Sequence, residues 1–207
     1  MVVAPVVSIA YHSGYGHTAV LARALESGAA EAGADVCLIK VDEITSDQWA
    51  RLDSSDAIIF GAPTYMGSAS GAFHAFAEST SKRWNRQDWK DKLAAGFTNS
   101  SSKAGDKDQA LRYFQTLAFQ HGMNWVCLGL LPGWNSSTGS EHDLNRLGYY
   151  AGAGAQTNLD EGIEAVHPSD IATAAHLGRR VTKIARVFKQ GHATEAEDVS
   201  EKLPVSG

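Results

Sequence analysis

The chain contains only two cysteines, Cys37 and Cys127, in 207 residues. That count excludes a fold stapled by several disulfides, and the apolar run around each cysteine predicts two buried free thiols. The eight histidines show no His-x-x-x-His spacing and meet no cysteine pair, so no metal centre is expected. No apolar run approaches the ~20 residues that a bilayer-spanning helix needs. Met1 leads directly into an apolar strand-like run rather than a basic and apolar leader, so a cytoplasmic location is expected. A formal net charge of −5 gives no general attraction to nucleic acid or to an anionic membrane. What is present, 43% hydrophobic and 20% charged residues, is the composition of one domain with a sizeable core.

Apolar runs alternate with helical periodicity. Runs at Val6–Tyr11, 35–41, 57–62, 93–98 and 124–130 are short and bounded by turn residues, like strands covered on both faces. Helical patterns fall at 17–32, 46–52, 70–82, 106–121 and 169–189. The alternation predicts an α/β domain over residues 1–190, a five-stranded parallel sheet with right-handed crossovers and helices on both faces. Two segments stand apart. Residues 132–167 form a long Gly-rich connection carrying Trp134, Tyr149 and Tyr150, expected to serve function or an interface. Residues 191–207 are polar and aperiodic, and are expected to be a mobile tail.

In such a sheet, ligands bind beyond the carboxyl ends of the strands, where strand order reverses. The loop after the first strand reads Ser13-Gly14-Tyr15-Gly16-His17-Thr18 and opens a helix. Small residues admit an oxyanion, hydroxyls add donors, and the first helical N–H groups point at it. The loop has no Gly-Lys-Ser/Thr ending, which argues against triphosphate hydrolysis, and no cysteine for a thiolate phosphatase. After the third strand comes Pro63-Thr64-Tyr65-Met66-Gly67, a stiffened turn with a flat apolar flank. After the fourth comes Asn99-Ser100-Ser101-Ser102-Lys103-Ala104, dense in groups that match the edge of a polar heterocycle. A phosphate socket, an aromatic flank and an amide-and-hydroxyl edge together describe a phosphorylated planar cofactor, and FMN fits best.

The residues Ser13-x-Tyr15-Gly16-His17, Ile58-Ile59-Phe60-Gly61-x-Pro63-Thr64-x-Met66-Gly67, Lys92-Leu93-Ala94, His121-Gly122-Met123 and Pro168-Ser169-Asp170 resemble the flavodoxin-like FMN proteins. More narrowly, they resemble the WrbA-type NAD(P)H:quinone oxidoreductases, which overlap with NADPH-dependent FMN reductases. The resemblance spans residues 6–188 and is weakest over 131–146. It implies a flavodoxin-like three-layer sandwich with strand order 2-1-3-4-5. It implies that Ser13, Gly14, Tyr15, Gly16, His17 and Thr18 hold the phosphate. Pro63, Thr64, Tyr65, Met66 and Gly67 then meet the isoalloxazine, and Asn99, Ser100, Ser101, Ser102, Lys103 and Ala104 cover its edge. His121 is implied beside the reactive face, Tyr15 where nicotinamide approaches, and Trp84 as a wall of the quinone pocket. The chain departs from the family pattern at Tyr65, commonly arginine, and at Ser101-Ser102-Lys103-Ala104, commonly glycine-rich.

The expected activity is hydride transfer from NAD(P)H to FMN, followed by two-electron reduction of a quinone-like acceptor in a homodimer or homotetramer. An electron carrier and an FMN-binding module with little turnover are the alternatives. Carriers of this fold are strongly acidic around the flavin, whereas Lys82, Arg83, Lys103 and Lys107 lie near these loops in sequence. Gly14-x-Gly16-x-x-Ala19 also fits a relaxed dinucleotide fingerprint, but Tyr11-His12-Ser13 separates its first glycine from the strand and the other two loops go unexplained.

Overall fold

The computed structural model describes residues 4–202, with side chains from 4 to 191. In chain order the elements are β1 (Val6–Tyr11), α1 (His17–Glu31), β2 (Asp35–Lys40), α2 (Ser46–Ser54), β3 (Ala57–Tyr65), β4 (Ser68–Ala69) and α3 (Gly71–Ser79). They continue with α4 (Ser81–Arg86), β5 (Leu93–Ser100), α5 (Lys107–Gln120), β6 (Asn124–Trp125), β7 (Ala153–Gln156) and α6 (Pro168–Lys202). Strands β2-β1-β3-β5-β6 form a parallel path, which is the expected 2-1-3-4-5 order once the short β4 is set aside. The sheet has seven strands rather than five, and each addition has a physical cause.

The first addition is β4, which folds back antiparallel on β3 with Tyr65 opposite Ser68. Met66 and Gly67 between them have φ of 48° and 83°, the two positive angles of a tight hairpin. The second comes from a split fifth lane. Only Asn124 and Trp125 pair with the start of β5, after which the chain leaves the ladder. Strand β7 takes the vacated half, pairing Phe97 to Ser100 of β5 with Ala153 to Gln156. Val126 and Leu128 still point into the core, so their alternation reads as strand although no ladder continues there. Cys127, between them, is exposed and Cys37 is half-buried, so neither is the buried thiol expected.

Each face of the sheet carries its own apolar cluster. On one, Leu21 and Leu25 of α1 and Leu177 and Val181 of α6 cover Val7, Ile9 and Phe97. On the other, Leu52 of α2, Phe73 of α3 and Leu111 and Phe114 of α5 cover Ile58, Phe60 and Trp89. Each such fully buried side chain contributes ~1.5–3 kcal/mol relative to exposure, and this fixes the strand ends that carry the loops. Helix α2 begins with a capping box between Thr45 and Gln48. Helix α6 runs to Lys202 rather than ending at Lys189, so a helix occupies much of the segment expected as a tail, and 203–207 lie outside the described residues. Among the described residues no helix is long and apolar enough to cross a membrane.

Candidate functional site

Four loops at the carboxyl edge of the sheet surround an open cleft. The first loop follows β1. His12 N–H donates to Gly61 O at 2.9 Å, Ala19 N–H to Ser13 Oγ at 3.1 Å and Val20 N–H to Gly16 O at 3.2 Å. Between them, no backbone N–H from residue 13 to 18 has a partner among the described residues. Gly16, at φ 92°, turns the chain into α1 and supplies no side-chain cap. Thr18 is buried, yet its hydroxyl makes no hydrogen bond among the described residues. A run of unanswered donors at a helix start suits an anion, with the positive end of the helix dipole behind it. His17 donates Nε2–H to the Glu161 carbonyl at 3.0 Å, joining the socket to the loop after β7.

The second loop supplies Pro63, Thr64 and Tyr65 to the cleft. Tyr65 meets Tyr15 edge-on at 6.4 Å, and a Cβ added at Gly14 would lie 2.7 Å from the Tyr65 hydroxyl. Burial, then the neighbouring Tyr15, raises the Tyr65 pKa, so the phenol stays neutral. Beneath them, Thr98 donates to Ala62 O at 2.7 Å, which leaves its oxygen to accept from Thr64 at 2.8 Å. That pair locks β3 to β5 at the cleft floor. Met66 is fully exposed at the rim beside Gly67.

From the third loop come Asn99, Ser100 and Ser101. Thr157 donates to Asn99 Oδ1 at 3.2 Å, so the Asn99 amide N–H groups are the part left for a ligand. Ser102, Lys103 and Ala104 extend this loop without lining the cleft. Thr157 and Leu159 line it from the fourth loop and were missed, because Ala153-Gly154-Ala155-Gln156 carries no β-branched or aromatic residue to mark a strand ahead of them.

Two expected site residues lie elsewhere. Helix α5 starts at the carboxyl edge and its 14 residues run ~21 Å back to the amino edge, where His121 follows it. There His121 is 1% exposed, packed on the Trp89 ring at 4.6 Å. Thr80 gives its proton to Ala77 O at 2.7 Å and therefore accepts from His121 Nε2–H at 2.9 Å. The His121 Nδ1 is buried with no partner among the described residues. This histidine is structural, and burial, then the Arg83 charge, lowers its pKa. Trp84 sits on α4 at the same far edge, where Arg83 pairs with Asp53, and it walls no part of the cleft. Of the four basic residues named from sequence, Lys82 and Arg83 also belong to α4, leaving Lys103 and Lys107 beside the site.

A doubly wound parallel sheet with unpaired amides after β1, an aromatic flank after β3 and a donor-rich loop after β5 defines a flavodoxin-like binder of a phosphate-tailed planar ligand, and these residues fit FMN. The family model for NADPH-dependent FMN reductase matches residues 8–128. The chain is 44% identical over 188 residues to Flavodoxin FldP of Pseudomonas aeruginosa, covering 89% of this chain and 97% of that protein. It is 31% identical to an NAD(P)H dehydrogenase (quinone) of Archaeoglobus fulgidus, covering 86% and 95% respectively. A crystal structure of a flavodoxin, WrbA-like protein from Agrobacterium tumefaciens superimposes with a TM-score of 0.71 at 38% identity, covering 88% of this chain and 98% of that one. The chain belongs to the NADPH-dependent FMN reductase family, among its WrbA-type flavodoxin-like members.

Proposed function

We propose that this chain is an FMN-dependent oxidoreductase that moves two electrons from NAD(P)H to a quinone-like acceptor. The observation that carries the reading is the unbroken run of unpartnered N–H groups from residue 13 to 18. Bound FMN supplies the redox chemistry, accepting a hydride and returning two electrons. The chain's own residues hold and orient. The amides of Ser13, Gly14, Tyr15, Gly16, His17 and Thr18 and the Thr18 hydroxyl grip the phosphate. Tyr65 flanks the ring, and Asn99, Ser100 and Ser101 face its polar edge. Tyr15, 75% exposed at the cleft mouth, offers the surface on which nicotinamide and acceptor dock in turn.

A second reading, an electron carrier, draws on the relative named flavodoxin. One pair of measurements separates them. The oxidoreductase is yellow as purified and oxidises NADH or NADPH with benzoquinone at many turnovers per minute. A carrier, like a binding module, is equally yellow with negligible turnover. A colourless protein that takes up no added FMN ends both readings. The exposed Leu131, Trp134 and Tyr150 of the connection support a homodimer or homotetramer, and a monomeric mass by light scattering at micromolar concentration removes that part.

A further inference from the structure

The loop from Ser100 to Gly105 is held from one side only. Gln156 Nε2 donates to Ser101 O at 2.8 Å. Lys107 Nζ donates to Ser102 O at 2.7 Å, to Lys103 O at 2.9 Å and to Ser100 Oγ at 2.7 Å. Tyr149 donates its hydroxyl proton to Ala104 O at 2.9 Å. Four successive carbonyls are thus drawn toward the protein. In a trans peptide the N–H points opposite to the C=O, so the N–H groups of Ser102, Lys103, Ala104 and Gly105 face the open side. None of them has a partner among the described residues.

Lys107 itself is fully buried. Its three acceptors match the three donors of an ammonium, and none is a carboxylate. The buried charges around it are Arg146 and Asp170, which already form a two-bond pair at 2.8 Å. The cluster therefore keeps one uncompensated positive charge beneath the loop. A cation in the first turn of α5 also opposes the helix dipole, so local helix energetics do not account for it.

We propose that Lys107 is a positioning and charge-tuning residue for the bound ring: it turns the loop donors outward and stabilises negative charge on the ring's polar edge. The inference rests on the FMN reading above. Adding two electrons and one proton to the isoalloxazine leaves one negative charge, and a cation held in a poorly screened interior favours that state. Burial pushes the Lys107 pKa down to about 8, partly countered by Asp170 and reinforced by Arg146. Of the groups near it, Tyr149 is raised to about 12 by burial, then by the charges of Asp108 and Asp106.

The test compares Lys107→Met and Tyr149→Phe with wild type by redox titration of the FMN-loaded proteins and by FMN titration of the apoproteins. Lys107→Met is expected to lower the preference for reduced over oxidised FMN about tenfold, a drop of about 30 mV in the two-electron midpoint. Tyr149→Phe removes a carbonyl clamp but keeps the cation, so it weakens FMN binding in both states and leaves the midpoint in place. A merely structural Lys107 would behave as Tyr149 does, and a yellow Lys107→Met protein with the wild-type midpoint overturns the proposal. If Lys107→Met does not fold, the wild type decides. As pH rises past the lysine's titration its midpoint falls by an extra ~30 mV per pH unit, the slope of one additional proton per two electrons, and no such inflection between pH 7 and 10 overturns the proposal. A wild type that binds no FMN instead ends the reading of the site itself.

Discussion

A lysine stands just outside each end of β5, half-buried at the amino end and fully buried at the carboxyl end, and the contrast between them separates scaffold from site. At the amino end, Lys92 donates to Asp53 O at 2.8 Å and Ser55 O at 2.7 Å. Burial lowers its pKa, while Asp56, Asp53 and Asp88 pull it back up. Around it, Asp53 accepts from Arg83 at 2.7 and 2.9 Å and from Trp89 Nε1 at 2.9 Å. Burial opposes the Asp53 charge, and the bonds from Arg83 and Trp89 outweigh it, holding that carboxylate below its usual range. Charge is answered by charge. At the carboxyl end, Lys107 likewise donates to neutral oxygens, but the carboxylate that favours its charge, Asp170, is already paired with Arg146, and the loops around it leave their N–H groups open. Both lysines lose part of their hydration, so desolvation alone identifies neither end. Unanswered donors do.

Four substitutions break or sharpen that contrast. The largest effect is expected from Thr18→Asp, which sets a carboxylate against the phosphate. FMN affinity falls at least about 100-fold, about 2.7 kcal/mol, in a fluorescence titration, and an unchanged Kd contradicts the socket. Next, Asp53→Ala at the opposite end costs about 2 kcal/mol of stability by urea unfolding, with FMN affinity within twofold of wild type. A large loss of affinity in a folded Asp53→Ala protein would erase the distinction between the edges. His121 gives a smaller, pH-dependent effect. Its folded pKa is lowered, so the unfolded chain takes up the proton first, and stability is lost as pH falls from about 6.5 through the folded value. His121→Leu therefore flattens stability between pH 7.5 and 5 without moving the FMN Kd, and an unflattened profile assigns the acid sensitivity elsewhere. Smallest is Trp84→Ala. The side chain is 50% exposed at the far edge, so stability shifts by no more than ~0.5 kcal/mol and FMN affinity of the isolated chain stays put.

Most of the sheet was readable because its strands are compact apolar runs closed by turn residues, and the socket because small and hydroxylic residues sit where a strand hands over to a helix. The rest was hidden for specific reasons. Strand β7 is Ala-Gly-Ala-Gln, a sequence with no side-chain signature, and missing it concealed Thr157 and Leu159. The run 124–130 alternates because one face is buried, a pattern that a ladder and an unpaired extended segment share. His121 and Trp84 were placed by resemblance, and a helix returning to the amino edge carries any residue at its end away from the cleft. Lys107 was named only as a basic residue near the loops, and its neighbours Asp106 and Asp108 give no sign that it is buried. The available signal was a cation in a first helical turn, where a carboxylate is favoured, which implies that something other than the helix holds it.

The divided fifth lane has a consequence for how such a protein changes over time. Since β6 and β7 occupy successive halves of one track beside β5, the excursion 126–152 departs from and rejoins nearly the same line. Lengthening a loop whose ends are already neighbours costs only about 0.6 kcal/mol per doubling. Its middle, between the core residues Val126 and Leu128 and the tethered Arg146 and Tyr149, can therefore change in length at little cost while the frame around the cleft stays as it is.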